Sequence, residues 1–475
     1  MVFPRIIISA IRGGSGKTII STGIIAAFKA AGKQVSPFKK GPDYIDAGWL
    51  ALAAGQPCYN LDTFLAPADK VLKSFYSNSL CTDLSVIEGN RGLYDGIDLE
   101  GTTSTAELAK LLRAPVILCI DCTKSTRTIA AVVLGCIHFD RTVDIKGVIL
   151  NRVAGARHEN ILKRSIEHHT GVSVLGSVPK LNRQSFPERH MGLIPTHEHK
   201  WAADSIAAAA EMAVKYIDLD KLTQTAFAAP DLSAAGIAEE ISEKKDADLA
   251  IAFKIKPRIG IMRDSAFQFY YQENIDALIS EGAELVYTSP LSDKTIPDVD
   301  TLYIGGGFPE THAKELSENT FYKEELKALA AKGLPIYAEC GGLMYLGKEL
   351  ILDGVTYAMT GLLPITFGFS EKPRAHGYTI VIVEEKNPYY KVGTELCGHE
   401  FHYSSVLKWG GEEKDLAFRL KRGSGLINNR DGFVFKNVLA TYTHIHALGT
   451  PEWAEAMIRN AVGYRDNKKA GPVSP

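Results

Sequence analysis

Over the first 150 positions, short runs of β-branched and aliphatic residues alternate with longer stretches of helical periodicity. RIIISA is followed by TIISTGIIAAFKAAG, QVSPFKK, LSVIEG, TAELAKLLRA, PVILCID, TRTIAAVVLGCIHF and IKGVILNRV. Short runs that are apolar throughout suit strands buried on both faces. Their alternation with helices predicts an α/β fold built on a doubly wound, mostly parallel sheet. GVSVLGSVPK adds a strand and SIAAAAEMAVKYI a helix. The pattern then fails: SAAGIAEEISEKKDAD carries alanine and charge without a sustained apolar period, as a linker does. Alternation resumes at PRIGIM and continues through NIDALISEG, AELVYTS, TLYIGGG, ELKALAAKG and LPIYAECGG. YTIVIVEE, GFVFKN and VLATYTHIHA predict further strands. The expected organisation is a first α/β domain over 1–220, a linker over 221–256, a second α/β domain over 257–465 and a flexible tail over 466–475.

Composition narrows the function classes. The chain has 475 residues, 45% hydrophobic and 23% charged, and its formal net charge is -2. That balance gives no electrostatic argument for nucleic acid or an anionic membrane as partner. No apolar run approaches the roughly 20 residues that span a bilayer. Arg5 and Arg12 bracket a short apolar stretch that reads as a first strand rather than a signal peptide, so a cytoplasmic location is expected. The seven cysteines are odd in number and scattered, which argues against a disulfide framework. Cys119 and Cys122 form a C-x-x-C inside an apolar run and read as part of a buried strand.

Candidate chemistry gathers in two places. Arg12-Gly13-Gly14-Ser15-Gly16-Lys17-Thr18 lies between a predicted strand and a predicted helix. Glycines there let backbone N–H groups close around phosphate at a helix N-terminus. Lys17 would reach the β- and γ-phosphates of ATP, and Thr18 would ligate Mg²⁺. Ile11 stands where the full phosphate-loop pattern has its first glycine. The shorter GGSGKT resembles the variant loop of the dethiobiotin synthetase and nitrogenase iron protein group. FKKGPDYID follows the second strand and VIEGNRGLYDG ends a later one, so both emerge at the same sheet edge as the loop. An acid there can hold Mg²⁺, and a lysine can stabilise charge on a transferring phosphoryl group.

The second place is Pro335-Ile336-Tyr337-Ala338-Glu339-Cys340-Gly341-Gly342, a strand, a sharp turn and a helix. A nucleophile on such an elbow stands clear of its neighbours, and a helix N-terminus is expected to lower its thiol pKa. Upstream, Gly305-Gly306-Gly307 follows the strand TLYI. Backbone N–H groups around Gly306, Gly307 and Gly341 are candidates for an oxyanion hole and for holding glutamine. The arrangement resembles class I glutamine amidotransferases, and their Y-x-H pattern selects His444 of Thr441-Tyr442-Thr443-His444 as general base. Those enzymes place a Glu two residues after the base, and this chain has His446 there. A Cys–His dyad without a third member is therefore expected, and it suffices chemically because a thiolate is already a good nucleophile. HEFH at 399–402 has the wrong spacing for a zinc-protease motif.

FKKGPDYID, VIEGNRGLYDG, Phe186-Pro187-Glu188-Arg189-His190-Met191-Gly192-Leu193, Asp264–Tyr271 and Gly398-His399-Glu400-Phe401-His402 together resemble the cobyrinate a,c-diamide synthase family. The likeness runs over nearly the whole chain outside the linker. It implies a ligase in which Mg·ATP converts a peripheral tetrapyrrole carboxylate into an acyl phosphate, which ammonia from glutamine then displaces. It further implies Asp43 and Glu88 as metal carboxylates, Lys39 as phosphate-stabilising residue and Asn151 as adenine reader. Lys40, Arg91 and Arg189 are candidate cations for the substrate's carboxylates. The aromatic segment 267–271 is a candidate wall of the ammonia path or contact to the macrocycle. Cobyrinate, hydrogenobyrinate, nickel sirohydrochlorin and sirohaem all remain open as substrates, and a homodimer is entertained. A P-loop ATPase without amidation activity is the rival from another class, and it leaves Cys340, the glycine turn and His444 unexplained.

Overall fold

The computed structural model describes residues 3–180, 201–232 and 256–470, together with the strand pair 188–189 and 192–193. The chain divides into two compact units, one of residues 1–63 and 68–243, the other of residues 64–67 and 244–475.

The first unit is built on seven parallel strands in the spatial order Tyr59–Leu61, Val35–Lys40, Leu84–Glu88, Arg5–Ala10, Val116–Asp121, Ile145–Val153 and Ser173–Pro179. All six residues of the central strand Arg5–Ala10 are buried, as expected when helices cover both faces. The helix Lys17–Ala30 presents Ile20, Ile24, Ala27 and Phe28 to this core. It crosses the helix Ala202–Tyr216 closely at Gly23, where a Cβ would lie 2.5 Å from the Ala209 carbonyl oxygen. Arg5 fastens the foot of the sheet: its guanidinium donates to the carbonyls of Phe3, Leu112, Arg113 and Pro230. The helix Leu219–Phe227 occupies the start of the segment expected as linker.

The order of the strands positions the site. Val35–Lys40 and Arg5–Ala10 flank Leu84–Glu88, so the segments following all three emerge side by side. Glu88 is in register with Ile8 on one side and Lys39 on the other.

The second unit has a ten-stranded mixed sheet. Glu284–Thr288, Arg258–Met262, Thr301–Ile304, Ile336–Glu339 and Val438–Thr441 form its parallel part. Arg430–Phe435, Leu416–Arg422, Ala375–Val383, Glu395–His402 and His444–Ile445 continue it antiparallel. Tyr303, Tyr337, Tyr389 and Trp453 pack edge to face or tilted beneath the parallel part. The helix Glu452–Ala470 takes in the first half of the expected tail. No helix among the described residues is long and apolar enough to cross a membrane.

Candidate functional sites

In the first unit the loop after Arg5–Ala10 turns through Gly14 at φ 70° and Gly16 at φ 87°, values that suit glycine far better than a side-chain-bearing residue. The side chain of Asn151 fills the space over Gly16, since a Cβ there would lie 2.3 Å from its Nδ2. Asn151 Nδ2 donates to the Ser15 carbonyl at 2.8 Å, and its Oδ1 accepts from Arg152 N at 2.9 Å. The residue expected to read adenine also props the loop, through both ends of its amide. Cys119 Sγ lies 3.4 Å from the same Ser15 carbonyl, and burial pushes its thiol up to about 12. Both cysteines of the C-x-x-C are buried, Cys119 within the strand and Cys122 just past its end, as the apolar setting predicts.

Lys17 is buried and donates to the Arg91 carbonyl at 2.7 Å. Burial, then the neighbouring Lys39, lowers its pKa. Thr18 Oγ1 donates to Glu88 Oε1 at 2.9 Å. The centre of the site is Lys39, 1% exposed, with Nζ 2.7 Å from Asp46, 2.8 Å from Glu88 and 3.8 Å from Asp43. Burial works against its ammonium, but the three carboxylates together outweigh it and hold the group well above the usual lysine range. Asp46 is the member of this network that sequence reasoning missed. Asp43 accepts from Asp46 N at 2.9 Å and so caps the start of the helix Ile45–Ala54. Burial, then Asp46, raises its carboxyl to about 7. Lys39 holds Asp46 below the usual range despite its burial. Burial raises Glu88, and Lys39 opposes the shift.

A divalent cation fits here. Glu88 Oε2 is buried and meets no hydrogen-bond donor among the described residues, which is costly unless a cation or donor takes it. Thr18 Oγ1 bonds the other oxygen of the same carboxylate, Oε1, at 2.9 Å, and Asp43 reaches the Lys39 ammonium that Glu88 also binds.

The substrate cations expected from the sequence separate. Lys40 is 5% exposed and pairs with Asp62 at 3.6 Å, because alternate residues of a strand face opposite sides and Lys39 takes the site side. It is therefore no open partner for a ligand carboxylate. Arg91 has an exposed side chain on a left-handed backbone, φ 49°. The strand Glu188–Arg189 pairs with Gly192–Leu193, but the Arg189 side chain lies outside the described residues. Arg12 is largely exposed and 3.4 Å from Asp121, which also binds Arg152 at 2.6 Å.

In the second unit Cys340 sits between the strand Ile336–Glu339 and the helix Gly341–Leu346 with φ 45° and ψ −96°. A non-glycine residue there is strained, as on the nucleophile elbows of other enzymes. The glycine turn closes over it. A Cβ at Gly341 would meet Gly307 N at 3.0 Å, one at Gly306 would meet His444 Cε1 at 2.5 Å, and one at Gly307 would meet the Ala266 carbonyl oxygen at 2.1 Å. Gly306, Gly307, Gly341, Cys340 and His444 therefore belong to one site. The segment 267–271 does not present its aromatic rings outward: Phe267, Phe269 and Tyr271 are buried. Gln268 N and Phe269 N both donate to the Gly306 carbonyl at 3.0 Å, and Gly305 N donates to Tyr270 OH at 2.8 Å. These bonds hold the glycine turn in place.

Two further expectations change. The thiol is raised, not lowered. Burial comes first, and Glu310 and Glu339 add to it, while the Gly341 N–H opposes them. A helix of six residues supplies too little field to reverse that. Nor does His444 stand without a carboxylate: its Nδ1 is 3.2 Å from Glu339 Oε2. His446 Nε2 lies 3.6 Å from Glu273.

Profiles of known protein families match each half of the chain. The family profile described as "CobQ/CobB/MinD/ParA nucleotide binding domain" matches residues 6–194. The one described as "CobB/CobQ-like glutamine amidotransferase domain" matches residues 258–452. The cobyrinate a,c-diamide synthase of Magnetococcus marinus is 43% identical over 96% of this chain and 97% of its own. That of Archaeoglobus fulgidus is 39% identical over 97% and 98%, and that of Methanobrevibacter smithii 41% identical over 94% and 97%.

Proposed function

The chain belongs to the cobyrinate a,c-diamide synthase family, and from that premise we propose that it amidates the a and c acetate carboxylates of cobyrinate with ATP and glutamine. The synthetase chemistry belongs to the region 1–220 and the glutaminase chemistry to 257–465. The observation that carries this reading is that one chain joins a phosphate loop beside a buried Lys39–Glu88 pair to a strained Cys340 under a glycine turn that meets His444.

On this reading Lys17 and the loop N–H groups bind the ATP phosphates. Thr18, Asp43 and Glu88 would hold Mg²⁺, whose charge offsets that of the phosphates. Lys39 stabilises the γ-phosphoryl group as the substrate carboxylate attacks it, giving an acyl phosphate and ADP. In the other half His444 Nε2 takes the Cys340 proton and the thiolate attacks the side-chain amide of glutamine. Donors near Gly306, Gly307 and Gly341 stabilise the oxyanion. The C–N bond breaks, His444 returns the proton to the leaving ammonia, and water hydrolyses the thioester to glutamate. Ammonia then displaces phosphate from the acyl phosphate.

The test is to supply ATP, Mg²⁺, glutamine and cobyrinate in which the acetate oxygens carry an isotopic label. Label should appear in released phosphate, with one mass step of hydroxyl-to-amino exchange per amidation. AMP and pyrophosphate as products would overturn the acyl-phosphate step. Amidation of sirohaem, nickel sirohydrochlorin or hydrogenobyrinate in preference to cobyrinate would reassign the substrate within the same chemistry.

A further inference from the structure

We propose that Glu339, the residue before the nucleophile, is the positioning carboxylate of the glutaminase base. It does for His444 what a glutamate two residues after the base does in the class I enzymes this domain resembles. The inference rests on the reading of Cys340 and His444 as the nucleophile–base pair.

The geometry is specific. Glu339 ends the strand Ile336–Glu339 in register with Thr441, so its side chain reaches the segment that carries the base. It is 1% exposed. Oε2 lies 3.2 Å from His444 Nδ1 and accepts from Tyr303 OH at 3.1 Å. Oε1 accepts from Ile445 N at 3.2 Å. One carboxylate thus grips both the imidazole and the backbone beside it. With Nδ1–H donating to Glu339, Nε2 becomes the basic atom, and that edge faces the glycine turn: a Cβ at Gly306 would lie 3.2 Å from it. The tautomer that this pairing selects is the one the reaction needs.

A buried carboxylate whose bonded partners are a phenol, an amide and an imidazole is costly until a cation forms beside it. The imidazolium of His444, formed when Nε2 accepts the Cys340 proton, is that cation. Glu339 itself takes no proton; its charge offsets the one created on His444. Other titratable groups around the base do not substitute for it. His399 stacks on His444 with centroids 4.8 Å apart, and burial, then His444, keeps it neutral, well below the usual histidine range. Tyr271 hydroxyl lies 3.1 Å from His399 Nδ1, and its ring packs 4.7 Å from that of His446, which faces Glu273.

Glu339→Gln keeps an acceptor for His444 and removes only the charge. In the full-length protein, glutamine-dependent kcat should fall at least about tenfold, with KM for glutamine within about twofold of wild type. The acid limb of the kcat/KM profile should move to lower pH, because imidazolium without its counter-charge is a stronger acid. An unchanged calorimetric transition of the second unit reports that its fold survives. Glu339→Asp, which keeps the charge, should leave the limb in place with kcat between the two. An unchanged kcat in Glu339→Gln, or a fall with the limb unmoved, would overturn the proposal. If Glu339→Gln does not fold, a displaced limb in Glu339→Asp would overturn it. Glutamine use surviving in Cys340→Ser would instead remove the underlying nucleophile reading.

Discussion

In the first unit Lys39 is buried among Asp43, Asp46 and Glu88 and kept charged by them. In the second, Cys340 is as deeply enclosed, but Glu310, Glu339 and Glu400 add to burial in pushing its thiol up. One site stores charge and the other withholds it. A centre that handles phosphate must offer its cation at any working pH, so the carboxylates that hold Lys39 there are part of the equipment. A thiolate standing ready would hydrolyse glutamine whether or not an acyl phosphate was waiting. On the proposed mechanism, a thiol kept protonated until glutamine binds would hold the two reactions in step.

The comparison makes opposite predictions for activity and stability. Cys340→Ser removes the nucleophile without altering a charge. Glutamine-supported amidation should drop by about 10⁴-fold or more, while ammonium still supports product and the melting temperature stays within about 1 °C. Glutamine use at wild-type rate would take Cys340 out of the mechanism. Lys39→Met is the converse case. It leaves the fully buried Glu88 and the half-buried Asp43 and Asp46 without their cation, a change worth about 3–5 kcal/mol. The melting transition of the first unit should fall by about 6–20 °C, at about 2–4 °C per kcal/mol for a unit of this size. Calorimetry of the two variants side by side checks both, and equal melting temperatures would erase the contrast.

What could be read in the sequence was local. The loop glycines, Lys17, Thr18 and Glu88 announce themselves because strand, turn and helix follow one another along the chain. Cys340 does so for the same reason. What escaped depends on segments far apart in sequence. Glu339 reads as a mere neighbour of the nucleophile until His444, 105 residues later, returns beside it. The cue was a carboxylate at the end of the apolar run PIYAE, where burial demands a partner. Lys39 and Lys40 are adjacent and chemically alike, and only the strand's two-residue period, with Asp62 waiting on the far face, tells them apart. The thiol's direction was misjudged because burial, the largest cause, and after it Glu310 come from packing between segments far apart in sequence.

The finest test of the charge-storing site is its pH dependence. Asp43 is raised to about 7 by burial and then by Asp46, against about 3.9 for an aspartate in the unfolded chain. A carboxyl so raised holds its proton more tightly folded than unfolded. The folded state therefore loses stability as pH climbs from the unfolded value to the folded one, and above about 7 the whole cost is present. Asp43→Asn cannot ionise, so without nucleotide it should melt higher than wild type at pH 8 and alike at pH 4. Asp43 is 27% exposed and its neighbour Asp46 is held low, so a gain near 1 kcal/mol is expected, about 2–4 °C. A cation bound beside Asp43 offsets the same charge. The stabilisation of wild type by Mg·ATP should accordingly grow between pH 6 and pH 8, and in Asp43→Asn it should be smaller and flat. Thermal shift assays at those two pH values, with and without Mg·ATP, read all four numbers. Asparagine keeps the oxygen that accepts from Asp46 N, so a variant that melts lower than wild type at pH 8 would mean that the Asp43 charge stabilises the folded site, and the raised carboxyl would be wrong.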